Sequence, residues 1–296
     1  MVRCYRGPWR AGDLNPVTWF ITDEPEVFRF EAGVFLAARP DLHTMLLSGL
    51  DTIEQLRLGG MAPPTVLGWW REPDEAATTA AFVWMPPHLL TASRLSRDAA
   101  TRLAGLLSTQ THPFTQLLAD DSSVRAFCEA WQRTTGVAPK SGPHLRLYRL
   151  DQLVRPGIAP PGAPRTATGA DRALLHDWCT RFVTEAGSLG ADLDVFIDER
   201  MSRGGWRLWT VGDEPVAMAA MTSVVAGAAR LTPVYTRPEH RGRGYGSAVT
   251  AAVSQAARDA GADHVLLFTD LANPTSNSVY QRIGFRPVSD YRIVVP

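Results

Sequence analysis

The chain has 296 residues, 45% hydrophobic and 20% charged, the composition of an ordinary globular protein with length enough for two domains. Lys plus Arg and Asp plus Glu are each 30, and the stretches on either side of Pro164 are separately neutral, which argues against a surface built for nucleic acid or an anionic membrane. Cys4, Cys128 and Cys179 are odd in number and match no zinc or redox spacing; no apolar run follows Arg3, Arg6 and Arg10 or is long enough to span a bilayer, so the expectation is a reducing, cytoplasmic setting.

Asp41 to Leu58 places Leu42, Met45, Leu46, Ile53 and Leu56 at helical spacing and is stopped by Gly59-Gly60. Strand-like runs follow at Thr65 to Trp70, Thr78 to Met85 and His88 to Leu95. Ser96 opens a helix, another spans Asp121 to Thr135, and His144 to Leu150 reads as a strand. From Val154 to Pro164, Pro156, Gly157, Pro160, Pro161, Gly162 and Pro164 forbid helix and inner strand. Residues 154–164 are therefore expected to link a domain 1–153 to a domain 165–296.

The second domain begins with helices at Asp171 to Gly187 and Asp192 to Met201, the first carrying Leu174, Leu175, Trp178, Phe182 and Val183 on one face. Trp206 to Val211 and Val216 to Ser223 form a hairpin across Gly212-Asp213-Glu214-Pro215, and Ala228 to Thr236 continues the sheet. After a glycine-rich turn come a helix from Ser247 to Ala260, a buried strand His264 to Thr269, a helix Pro274 to Ile283 and a closing strand Phe285 to Val295. The first domain gives a blurred version of the same order, with Gly68-Trp69-Trp70 standing where Trp206 and Trp209 stand later, but without a residue-level repeat.

The turn itself reads Arg241-Gly-Arg-Gly-Tyr-Gly-Ser247 between a strand and a helix. Its glycines let several backbone N–H groups converge on an anion at the positive end of a helix dipole, and Arg241 and Arg243 add charge suited to a pyrophosphate. A glycine turn for close packing is the plain alternative. A dinucleotide fingerprint fails because Ser247 stands where the third glycine belongs, and a Walker loop fails because no Gly-Lys-Ser/Thr follows.

Arg241-x-x-Gly244-x-Gly246 resembles the Arg/Gln-x-x-Gly-x-Gly/Ala signature of the Gcn5-related N-acetyltransferases (GNAT). The resemblance covers roughly residues 165–296 and is nearest the branch of glycine N-acyltransferase-like proteins, which share the look of Val234-Tyr235-Thr236 and of Asn273-Pro-Thr-Ser-Asn-Ser-Val-Tyr280. It implies an α/β fold with a mixed, centrally splayed sheet flanked by helices, in tandem copies of which the first is degenerate. It also implies that Val234, Tyr235 and Thr236 bind the pantetheine arm of acetyl-CoA, or another short acyl-CoA, and that Arg241, Gly242, Arg243, Gly244, Tyr245, Gly246 and Ser247 hold its pyrophosphate. Asn273, Ser276 and Tyr280 would complete the contact. Pro233 lacks a ladder donor and marks a bulge or an edge facing a gap.

Asn273 before Pro274 also has the grammar of a helix N-cap, which by itself accounts for it. Tyr280 lies two helical turns on, either a core residue or, as the resemblance implies, the proton donor to the departing thiolate. The implied reaction is direct transfer to the neutral amine of a small molecule or amino acid, needing no metal and no nucleophile such as Cys179, which reads as packing. Phe268 stands where some family members carry a glutamate, leaving the base open among Glu185, Asp270 and water. Leu95-Ser96-Arg97-Asp98 has no glycine and puts negative charge at the comparable helix start, so the first domain is expected not to bind coenzyme A. Trp69, Trp70, Trp84 and Trp131 read as core or as lining of an acceptor pocket. A non-enzymatic acyl-CoA sensor or assembly partner is the alternative function.

Overall fold

The computed structural model describes residues 19–73, 75–109, 114–155, 157, 159–186 and 192–296. Arg3, Cys4, Arg6, Arg10, Pro156 and Gly187 lie outside them. In chain order, β1 (Trp19–Thr22), α1 (Pro25–Ala38), α2 (Thr44–Leu58), β2 (Val66–Trp70), β3 (Ala80–Trp84), β4 (Leu90–Ala92), α3 (Arg97–Ser108), β5 (Leu117–Asp120), α4 (Asp121–Thr135) and β6 (Lys140–Leu150) come first. β7 (Ala163–Thr166), α5 (Arg172–Ala186), α6 (Leu193–Ser202), β8 (Trp206–Val211), β9 (Glu214–Met221), β10 (Ala228–Thr236), α7 (Tyr245–Asp259), β11 (His264–Asp270), α8 (Pro274–Arg282) and β12 (Phe285–Val295) follow. The same succession of strand, two helices, three strands, helix, strand, helix and strand thus occurs twice.

The chain forms two compact units, Met1–Leu145 with Ser289–Pro296, and Arg146–Val288. This division differs from a boundary at 154–164 because β6 and β12 each begin in one unit and end in the other. Composition marks where a chain can bend, whereas compactness follows the strands. Pro164 moreover lies in β7, an edge strand opposite Trp209, where its missing N–H is tolerated.

In the first unit the strand order is β1-β2-β3-β4-β5 and then the end of β12, which pairs antiparallel with β5 from Tyr291↔Asp120 to Val294↔Leu117. Its core gathers Trp70, Phe82, Trp84, Phe127 and Trp131, with Val294 of β12 among them. Trp69 is buried and stacks on Phe20 with ring centroids 5.5 Å apart. Trp70, Trp84 and Trp131 are thus core residues of this unit, and Trp69 is buried beside Phe20. α4 is capped by the Asp120 carboxylate, which accepts from the N–H of Ser122 and Ser123, and ends at Gly136 with φ +76°. α1 escapes the sequence reading because Phe30 and Val34 are exposed while Phe28, Ala32 and Leu36 are buried, so both faces carry apolar residues.

In the second unit the order is β6-β11-β10-β9-β8-β7. β7, β8, β9 and β10 are antiparallel neighbours, and β10 and β11 run parallel. Period-two alternation divides β9 between two cores: Met218 and Ala220 pack with Trp178, Ile197 and Trp206 beneath α5 and α6, while Ala217 and Ala219 pack with Val249, Val253 and Tyr280 beneath α7 and α8. The turns follow their glycines. Gly212 takes φ +58° in the β8–β9 hairpin, and Ala226 and Gly227 take φ 50° and 76° in the next, the two left-handed positions of a type I′ turn.

Candidate active site

The parallel ladder between β10 and β11 runs from Ala228↔His264 to Leu231↔Leu267 and stops there, although β10 continues to Thr236 and β11 to Asp270. On its other edge β10 stays paired with β9, with a register shift between Leu231 and Val234 where Pro233 interrupts the donors. The backbone from Val234 to Thr236 is therefore held by one neighbour and released by the other. Such an edge offers amide groups to an extended, amide-bearing ligand.

At the end of that strand the chain turns through Gly242, φ +77°, and Gly244, φ +86°, into α7. Gly244 is the N-cap residue of α7, and no side chain caps the helix. The first N–H groups of a helix have no intrahelical acceptors, so Tyr245, Gly246 and Ser247 present donors at the positive end of the dipole. The helix starts at Tyr245 rather than Ser247, because the Tyr245 ring is buried in the apolar core and its main chain is held there. A Cβ at Gly246 would lie 3.3 Å from Thr236 Oγ1, which binds the turn closely to the strand end. A Cβ at Gly242 would meet nothing within 4 Å, so that glycine serves its left-handed backbone and not a tight contact.

Arg241 is engaged by the protein itself. Its Nε donates to Thr236 O at 3.0 Å and its Nη2 to both Glu185 carboxylate oxygens at 2.9 and 2.7 Å, with the guanidinium 5.6 Å from the Tyr235 ring centroid. Arg241 thus braces the strand end against α5. Glu185 is correspondingly occupied. Arg243 is exposed beside the turn. The Tyr235 ring packs in the α5 and α6 core, 5.8 Å from Trp178, so its contribution to the released edge is main chain.

On α8, Asn273 Oδ1 accepts from Ser276 N at 3.0 Å, the N-cap bond read from the sequence, and Pro274 occupies the first turn. Asp270 Oδ1 accepts from Ala272 N at 2.8 Å and shapes the loop before α8. Tyr280 is 9% exposed, sits in the same apolar cluster as Tyr245, Leu231 and Leu267, and lies edge-on to Phe285. Burial pushes its phenol up to about 12. Cys179 is fully buried and its thiol is likewise pushed up to about 12 by burial, the reverse of what a nucleophile needs. The sequence reading missed Tyr148. From β6 its hydroxyl donates to Asn277 Oδ1 at 2.9 Å and accepts from Gln281 Nε2 at 3.0 Å, pinning α8 from a strand remote in sequence.

Residues 172–285 match the model of the Acetyltransferase (GNAT) family. This segment is a GNAT domain. The chain is also 33% identical over 82 residues to the uncharacterized N-acetyltransferase YobR of Bacillus subtilis, a stretch that is 27% of this chain and spans about a third of the relative's length, 33%. Three solved structures share the fold along nearly the whole chain. A Drosophila protein superimposes with a TM-score of 0.66 at 15% identity, covering 95% of this chain and 98% of its own. A GCN5-related N-acetyltransferase from Sphaerobacter thermophilus gives 0.61 at 15% identity, with 94% and 95% covered. A tandem GNAT protein from the clavulanic acid biosynthesis pathway gives 0.57 at 14% identity, with 95% and 98% covered.

Outside the GNAT domain, the comparable helix start of the first unit is filled. Ser96 Oγ accepts from Ala99 N at 3.1 Å, and Asp98 occupies the first turn. Among the described residues no group of three His, Cys, Asp or Glu side chains is placed to hold a metal, and no helix is long and apolar enough to cross a membrane.

Proposed function

We propose that the GNAT domain binds a short acyl-CoA, acetyl-CoA foremost, and transfers its acyl group to the amino group of a small molecule or amino acid. The observation that carries this is the ending of the β10–β11 ladder at Leu231↔Leu267 beside the uncapped, glycine-started α7. These residues fit coenzyme A: Val234, Tyr235 and Thr236 would meet the pantetheine amides through main chain, and the N–H groups of Gly242 to Ser247 the pyrophosphate. Asn273 and Ser276, at the start of α8, and Arg243, exposed at the turn, would flank it. When bound, the thioester supplies an activated acyl carbon.

The protein's own part is positional and electrostatic. Donors on the released edge of β10 polarise the acyl oxygen, and the strand walls exclude water from an otherwise hydrolysable thioester. Tyr280 holds a proton on its Oη throughout the ordinary pH range and offers it to a leaving sulfur. With Glu185 bound by Arg241, Asp270 and water are the acceptors left for the amine proton. The first unit, with the same element order and a filled helix start, is a second GNAT-like fold without a cradle.

A second reading, an acyl-CoA sensor without turnover, draws on the same engagement of Glu185 and on Phe268 in place of a strand carboxylate. Thiol release from acetyl-CoA across a panel of amines and amino acids tests the two. Amine-dependent release above hydrolysis supports the transferase; saturable acetyl-CoA binding with no release from any amine supports the sensor.

A further inference from the structure

The proline- and glycine-rich stretch 154–164 lies inside the second unit, and its end is seated on the glycine turn before α7. Pro160 is buried between the exposed Ala159 and Pro161. A Cβ built on Gly244 would have Cγ and Cδ of Pro160 at 4.0 Å each and, its chain neighbours aside, would meet no other heavy atom of the described residues within 4 Å. The proline ring therefore covers the side of Gly244, the N-cap residue of α7, on which a side chain would stand. With Thr236 close to Gly246, the turn is held at two points.

Pro160 is itself fixed from β8. Trp209 Nε1 donates to Pro161 O at 2.9 Å, and Ala163 and Pro164 pair with Thr210 and Trp209. Gly162, φ +98°, lets the main chain close onto that strand, since a Cβ there would run into Thr210 O. The Trp209 ring is buried and belongs to the apolar cluster of Tyr245 and Ala248 in the first turn of α7, so one indole ties the Pro160–Gly162 segment to the helix start. Two prolines in succession, each with φ fixed by its ring, leave this segment few conformations to lose.

Glycines at 242, 244 and 246 give the turn the backbone freedom its left-handed positions need and leave it pliant by itself. N–H groups that converge on an anion bind it tightly when their positions are fixed beforehand. No side chain caps α7, so that rigidity has to be supplied from outside the turn. We propose that Pro160 is a positioning residue for the pyrophosphate of the cofactor: held by Trp209, it fixes Gly244 and through it the N–H groups of Tyr245, Gly246 and Ser247. The assignment rests on the coenzyme A reading above. It extends the cofactor site to a residue outside the segment 172–285 that matches the family model.

The test uses the full chain, with calorimetry against coenzyme A and hydrogen exchange of the ligand-free protein. Pro160→Gly removes the ring, and Trp209→Phe removes the N–H while keeping an aromatic ring in the cluster. Each is expected to weaken coenzyme A about tenfold, and the double variant to bind about as the weaker single one does, because both act through one contact. Exchange is expected to quicken at Tyr245, Gly246 and Ser247 and to stay unchanged in β9 and β11. A merely structural role would instead quicken exchange across the sheet and lower the melting temperature, with the affinity of the folded protein intact. Pro160→Gly leaves every hydrogen bond named here in place, so it decides alone if Trp209→Phe does not fold. Unchanged affinity in Pro160→Gly, or losses that add in full in the double variant, overturns the assignment. A wild-type chain that takes up no coenzyme A overturns the cofactor reading and this assignment with it, whereas wild-type affinity in the variants overturns this assignment alone.

Discussion

Tyr280 sets a problem of acidity. A phenol pushed up to about 12 is fully protonated in any ordinary assay, yet proton transfer to a thiolate whose acid has a pKa of about 8.5 runs uphill by several units. Its contribution is therefore expected at the lower end of general-acid effects. Tyr280→Phe should reduce kcat by about 10²-fold with acyl-CoA affinity nearly unchanged, at a stability cost of about 1 kcal/mol. Single-turnover kinetics read alongside thermal melting check this, and wild-type turnover would return the residue to the core. Gly244 is the second residue-scale case. Its φ of +86° makes any side chain there strained, and Gly244→Ala should weaken coenzyme A binding at least tenfold in a chain that still melts cooperatively. Calorimetry decides, with unchanged affinity removing the turn from the cofactor site.

Among the elements, the joint between β7 and α5 has a clear electrostatic signature. Asp171 accepts both Arg165 Nη1 and Nη2 at 2.7 Å and the Thr168 N–H at 2.7 Å, closing a capping box at the entry to α5. The Arg165 pair holds the carboxyl down to about 2 from 3.8. A folded-state value depressed below the unfolded one means stability fully present above pH ~4 and lost as pH falls toward ~2, about 2 kcal/mol in all. Asp171→Asn should lower the neutral-pH stability by about that amount and flatten the acid limb between pH 4 and 2. Urea midpoints at stepped pH measure it, and parallel acid limbs in the two proteins would refute the assignment. α8 is braced differently, by Tyr148 on β6, and no periodicity within 274–282 reveals that.

For the whole molecule, the compact units and the order of the chain do not coincide, because the last residues of the chain belong with the first unit. Val294 is 2% exposed in that unit's core, and Tyr291 Oη donates to Leu42 O at 3.1 Å. Val294→Ala should therefore destabilise the first unit by about 1–3 kcal/mol even though the residue follows the GNAT domain in sequence. Hydrogen exchange at β5 and the fluorescence of Trp70 and Trp84 report on it, and faster exchange in β10 with β5 unchanged would contradict the division. Since the α3 start is filled by Ser96 and Asp98, coenzyme A is expected to bind once per chain. A calorimetric stoichiometry of two would show a second cradle.

Local rules were enough for much of the second unit. Glycine, proline and alternation placed β8 to β12 within a few residues, Asn273 and Pro274 announced the α8 cap, and Arg241 to Ser247 displayed the glycine turn into α7 that is proposed to take the pyrophosphate, because these depend on backbone freedom and nearest neighbours. The first unit was harder to read. β1 and β5 are four residues each and α1 is apolar on two faces, so their identity comes from the partners that cover them. The end of the β10–β11 ladder, the capture of Arg241 by Glu185 and the passage of β12 into the first unit were decided only by tertiary structure. Each joins residues far apart in the chain, and the energies that choose among such pairings, burial and charge pairing, depend on distances in space that a linear pattern does not contain.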